Sequence, residues 1–173
     1  MKDDLISSLE PLHRDAYGWA LHCCEGAAAE AGDVLQNAYL KVIQGKAICR
    51  DLSSLKTWWF GVIRFTAKEE SRRRRFRESL AGKLLRFPSY ESTGGDSAVA
   101  YPLDLDESAR NLRLCLEQLP ARQAEVLHLV FYQDLSLSEA AGVMGVSLGS
   151  ARTHYARAKT RLRELLQFAP LES

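Results

Sequence analysis

The chain has 173 residues, 26% of them charged, and a formal net charge of +1. That length fits one medium domain or two small ones with modest cores, and the near-neutral balance excludes a global field driving the whole surface onto a polyanion. The four cysteines (Cys23, Cys24, Cys49, Cys115) lack zinc-ladder spacing, the N-terminus does not resemble a signal peptide, and no apolar run reaches membrane-spanning length. The expectation is a soluble, cytoplasmic protein with reduced thiols, no membrane insertion, no metal and no cofactor.

The pattern is helical throughout, without a stretch of clean strand alternation. Leu5 to Cys24, restarting near Pro11, and Ala27 to Ile43 form a first helical pair broken near Gly26. Val34, Leu35, Ala38, Leu40, Val42 and Ile43 read as the buried side of the second helix, and Gly45 ends it. His22, Cys23 and Cys24 could ligate a metal, but small residues packing in a helix are the preferred reading of the pair. Ser53 or Ser54 then caps a long helix that runs through Trp58, Phe60, Val62 and Ile63 to Arg77.

Charge is segregated along the chain. Residues 50–77 hold nine Lys/Arg against three Asp/Glu, whereas residues 78–107 hold two against six. On the long helix Arg64, Lys68, Arg72 and Arg75 recur at three- and four-residue spacing and share a stripe. Cations on such a stripe track phosphates while aromatic rings stack on exposed bases of a single-stranded or locally opened nucleic acid. Trp58 reads as core; Trp59 and Phe65 are the rings open to a base. From about Leu80 to Asp106 the helical pattern fails among Gly82, Pro88, Gly94, Gly95 and Pro102, which reads as a flexible acidic linker.

Helices resume near Glu107 and restart at Pro120, a favoured first-turn residue. Ser136 and Glu139 stand at capping-box spacing, Ala140, Ala141, Val143 and Met144 supply a packing face, and Gly145 can adopt the left-handed conformation that ends a helix. Val146 plugs the turn and Ser147 caps a second helix. That helix carries Arg152, His154, Arg157, Lys159, Arg161 and Arg163 with no acid before Glu164. Helix, turn and basic helix suit a major groove, with early side chains at base edges and later cations on phosphates. The architecture is therefore all-α: two small helical domains, 1–79 and 107–173, joined by a linker over 80–106, the second containing a helix-turn-helix.

This order of elements resembles the extracytoplasmic-function group of the sigma-70 family of bacterial RNA polymerase sigma factors. Asp33-Val-Leu-Gln36-Asn-Ala-Tyr39-Leu-Lys41-Val is similar to region 2.2, Leu55-Lys-Thr-Trp58 through Arg75 to regions 2.3 and 2.4, and Leu119-Pro120 through Leu166 to region 4. The resemblance implies docking on core polymerase through Asp33, Gln36, Asn37, Tyr39 and Leu40. It implies capture of the opened minus-10 element by Lys56, Trp59, Arg64, Phe65, Lys68, Arg72 and Arg75. It implies reading of the minus-35 duplex by Arg152, Thr153 and His154, with Ser150 and Arg157 setting the phosphate register. An anti-sigma factor is the implied antagonist.

Two departures stand out. Phe65 occupies a position where the family often has Asn, and His154 replaces a permanent cation. Imidazole is mostly neutral near pH 7, which weakens phosphate attraction there. A stand-alone helix-turn-helix repressor or activator would explain the C-terminal half alone, but it needs a dimer interface for two half-sites and leaves the arginine-rich helix unexplained. An enzyme is not expected, since the acids lie mainly in the linker or on helix surfaces.

Overall fold

The structure, a computed structural model, describes residues 2–49, 55–84 and 107–168. The Ser53 or Ser54 cap and most of the expected linker, residues 85–106, lie outside them. The chain divides into two units, Met1–Val99 and Ala100–Ser173. All the regular elements among the described residues are helical.

In the first unit α1 (Lys2–Leu9) passes through a 3-10 turn, Glu10–Leu12, into α2 (His13–Cys23). Pro11 sits in the first positions of that turn, where its missing N–H costs nothing and its fixed φ suits a restart. Glu25 and Gly26 both take positive φ and reverse the chain into α3 (Ala28–Ile43). α3 buries Ala31, Val34, Leu35, Ala38 and Val42, a stripe one helical face wide. Leu40 and Ile43, expected on that buried side, are 43% and 52% exposed. The stripe already fills the contact with α2 and α4, and residues 40 and 43 rotate past its edge.

α4 spans Leu55–Leu84. It continues well past Arg77, so residues 80–84, expected to open the linker, are helical. Its inner face carries Trp59, Phe60, Ile63, Thr66 and Ala67 against α2 and α3. Trp19 of α2 stacks on Phe60 with ring centroids 6.1 Å apart and donates its indole N–H to the Phe60 carbonyl at 3.0 Å. Trp19, Trp59 and Phe60 are each 0% exposed, and each such burial contributes roughly 1.5–3 kcal/mol.

In the second unit α5 (Glu107–Glu117) leads to α6 (Ala121–Leu127). Pro120 is the residue before the first helical turn, with φ −54° and ψ 140°, rather than inside it. α6 passes into a π-helical turn at His128–Tyr132, which the sequence pattern read as continuous α-helix. The wider turn leaves Phe131 and Tyr132 60% and 61% exposed while Leu129 stays buried. α7 (Leu137–Met144) and α8 (Leu148–Phe168) follow. Leu119, Leu127 and Ala158 form a core onto which Leu116, Tyr155, Leu162 and Leu165 pack, so α8 is held by one face along much of its length.

Candidate nucleic-acid interface

α8 is positioned by two caps. Glu139 N–H donates to Ser136 Oγ at 3.3 Å, and Ser136 N–H donates back to Glu139 Oε2 at 2.8 Å, which is the reciprocal box expected from the spacing. Gly145 closes α7 at φ 64° and ψ 41°. Val146 N–H then donates to the Ala141 carbonyl at 3.1 Å, satisfying a carbonyl the helix end leaves open. Ser150 N–H donates to Ser147 Oγ at 3.1 Å, starting α8 immediately after the turn. A helix-turn-helix is therefore fixed by side-chain and backbone hydrogen bonds at each joint.

α8 buries Ala151 and Ala158 and exposes Gly149, Ser150, Arg152, Thr153, Ala156, Arg157, Lys159, Thr160, Arg161 and Arg163. Arg152, Thr153 and Arg157 thus lie on the outer face. His154 is half-buried on its flank, a poorer place for a base-edge reader than the sequence alone suggested. Ser150 Oγ lies 2.9 Å from Ser147 Oγ and is partly engaged in the cap. Thr153 Oγ1 donates to the Gly149 carbonyl at 3.0 Å. Beside this face a shallow groove of about 550 Å³ runs between Gln118, Pro120 and Gln123 and the α8 residues Arg157, Thr160 and Arg161.

α4 presents the other basic surface. Phe65 is 64% exposed, and Lys68, Arg72 and Arg75 are exposed with it. The Lys41 ammonium lies 5.1 Å from the Phe65 ring centroid, a cation–π contact that braces the ring from α3. Arg64 is 9% exposed and sits at the edge of the buried face, so it does not share the open stripe. Lys56 pairs with Asp15 of α2 at 2.9 Å, which spends part of its charge. Trp59 is a correction: it is 0% exposed and its ring lies 4.8 Å from Tyr39, so it belongs to the core and has no face for a base. Trp58, which reads as core in the sequence, is the half-buried one of the pair. Its position follows from Phe65, because residues 58, 61 and 65 share a helical face and Gly61 between them has open space where a Cβ would stand.

The four consecutive arginines divide by helix angle. Arg73 pairs with Glu69 at 2.6 Å and Glu70 at 3.3 Å, and Arg74 pairs with Glu30 of α3. Arg72 and Arg75 are turned to the exposed side, next to Lys68. Glu69 is held below its ordinary carboxylate value, first by the hydrogen bond from Lys41 and then, against the opposing effect of burial, by the charges of Lys41, Arg73 and Arg72. On α3, Asp33, Gln36 and Leu40 form an exposed stripe with Asn37 half-buried beside it. Tyr39 stands apart from that stripe, half-buried, with its hydroxyl 3.2 Å from His13 Nδ1. Burial and the charge of Glu10 push its phenol up.

Residues 9–77 match the family model of Sigma-70 region 2, and residues 109–162 match that of Sigma-70 region 4. The chain belongs to the sigma-70 family. Within it the extracytoplasmic-function group is the one it falls in. Over 167 residues it is 26% identical to the ECF RNA polymerase sigma factor EcfG of Rhodopseudomonas palustris (strain TIE-1), covering 96% of this chain and 84% of that relative. The sigma factor RpoE from Bartonella quintana, solved in complex with the anti-sigma factor NepR, shares its fold. The TM-score is 0.68 at 23% identity over 96% of this chain and 99% of that one. As a sigma factor the protein serves transcription initiation, binding RNA polymerase core and promoter DNA. Region 2 contains the α3 and α4 surfaces, and region 4 contains the α7–α8 helix-turn-helix. Among the described residues no helix of the sigma factor is long and apolar enough to cross a membrane, and no group of three or more His, Cys, Asp or Glu could hold a metal ion.

Proposed function

We propose that the two exposed basic faces divide promoter recognition between them. α8 enters the major groove of the minus-35 element, with Arg152 and Thr153 toward base edges, Ser150 and Arg157 on the backbone, and His154 at the margin of the contact. α4 captures the minus-10 strand once it unpairs, with Phe65 and Trp58 as the rings and Lys68, Arg72 and Arg75 on phosphates. Lys56 and Arg64 support this face, and Trp59 serves only the core behind it. Asp33, Gln36, Asn37 and Leu40 meet core polymerase, and Tyr39 holds that helix against α4. Region 2 and region 4 are taken as 1–79 and 107–173, with α4 carrying on from region 2 as far as Leu84. The protein works in the cytoplasm, has no catalytic activity of its own, and is restrained by an anti-sigma factor that covers its polymerase-binding surface.

The observation that supports this reading best is the burial pattern of α4 and α8. Each helix is anchored along one face and turns cations and small or aromatic residues outward on the other. Site-specific photo-crosslinking tests it. A crosslinker at residue 153 should mark the upstream duplex and one at residue 65 the non-template strand of the melted region, in holoenzyme only. Crosslinks from both positions to the same element would overturn the division.

A further inference from the structure

We infer that Thr153 and Ala156 read the 5-methyl group of thymine in the upstream duplex. The centre line of the exposed face of α8 runs through Gly149, Thr153, Ala156 and Thr160, opposite the buried Ala151 and Ala158. The Thr153 hydroxyl donates its only proton to the Gly149 carbonyl at 3.0 Å, so it has none left for a base acceptor. What Thr153 keeps for a ligand is its methyl group and the acceptor lone pairs of its hydroxyl. Thymine's major-groove edge has an acceptor and a methyl but no donor, so toward it only the methyl is of use. Ala156, exposed one turn on, has only a methyl to offer.

The surroundings suit a close approach. A Cβ built on Gly149 would meet nothing nearer than Ser147 Oγ at 3.8 Å, so the backbone at the crest stands open. Arg152 and Arg157 flank the crest on either side. Arg157 is placed to hold phosphate and Arg152 to reach a neighbouring base edge, while the small residues sink toward the bases between them. In the major groove thymine alone among the four bases projects an apolar group, and Ala and Thr methyls are the side-chain groups that meet it. Removing one methyl from such a contact should weaken binding about four-fold. The inference rests on the reading that α8 lies in the major groove.

The test uses holoenzyme and a promoter duplex selected by it from a random library, with each upstream thymine replaced in turn by deoxyuridine. One or two adjacent replacements should weaken binding about four-fold with the unaltered protein and with Thr153→Val, which keeps a methyl. With Thr153→Ser, which keeps the hydroxyl bond and lacks the methyl, the replacement facing residue 153 should have no further effect, while one facing Ala156 keeps its effect. Insensitivity to deoxyuridine at every position would overturn the inference while leaving upstream recognition intact. So would a Thr153→Ser protein that behaves as unaltered while Thr153→Val loses binding, since the hydroxyl would then be the reader. A selected promoter with no upstream element would overturn the placement of α8 itself.

Discussion

Lys41 of α3 reaches Glu69 of α4 at 2.6 Å and Thr66 of α4 at 3.0 Å, and the same ammonium braces the exposed Phe65 ring. One side chain therefore ties the helix assigned to polymerase docking to the helix assigned to strand capture. The pair is about four-fifths shielded from solvent on each side, so it is worth more than an open surface bridge.

Glu69→Gln should destabilise the first unit by about 1 kcal/mol at neutral pH, measured by urea unfolding. The pH dependence has a definite sign. The folded carboxyl sits below its ordinary value of 4.5, so its contribution is fully present above that value and disappears as the pH falls through the lowered folded value. Glu69→Gln should accordingly flatten the acid limb of the stability curve. An unchanged acid limb would show that Lys41 does not hold Glu69 as an ion pair.

Trp59→Ala removes a fully buried ring and should cost about 3–5 kcal/mol in thermal or chemical unfolding. Trp58→Ala should cost far less stability and instead slow promoter opening, by the equivalent of about 1–3 kcal/mol for a lost base stack. Comparing unfolding with permanganate footprinting of the melted strand separates the two. Equal stability losses would return Trp58 to the core.

Gly145→Ala should lower the stability of the second unit by about 1 kcal/mol. The new Cβ meets nothing within 4 Å, so the cost comes from a side chain at φ +64° alone. Ser136→Ala, which breaks the reciprocal box, should cost a similar amount. Calorimetry of each variant checks both values.

Arg152→Ala should relax base preference at one upstream position at a cost of about 1–3 kcal/mol, whereas Arg157→Ala should weaken all sequences alike and reduce the salt slope by about 1. Binding titrations of holoenzyme at several salt concentrations distinguish them. Core polymerase binding should survive both changes.

Burial pushes the Cys24 thiol up to about 11, against a smaller opposing effect of Arg74. At pH 8 its thiolate is then about one part in a thousand. Alkylation by iodoacetamide, followed by mass spectrometry, should mark Cys24 some hundred-fold more slowly than a thiol of ordinary acidity. Rapid labelling would show that burial does not shield the Cys24 thiol.

The caps, the turn glycine and the basic face of α8 were legible in the sequence because each depends on residues within one or two helical turns. The same locality made the Pro11 restart and the Gly26 break readable. Tertiary rotation was not legible. Whether Trp58 or Trp59 faces inward depends on where α2 and α3 meet α4, and adjacent aromatics give no periodic hint by themselves. Phe65 held the missing signal, since an exposed ring there puts residue 58 on the same side. The division of the arginine run depended on Glu30, distant in sequence, as well as on local partners. The π turn at His128–Tyr132 left no mark in an apolar run that an α-helix fits as well. The length of α4 was missed because Gly82 marked an end that the helix passes through.

The most direct measurement is transcription in vitro from a mixed promoter library, using sigma-free bacterial core polymerase with and without this protein. The account predicts defined start sites that require the protein and share an upstream and a downstream element, with Arg152→Ala altering only the upstream one. Sequence-specific binding to duplex DNA by the protein alone, with no binding to core polymerase and no initiation, would contradict it.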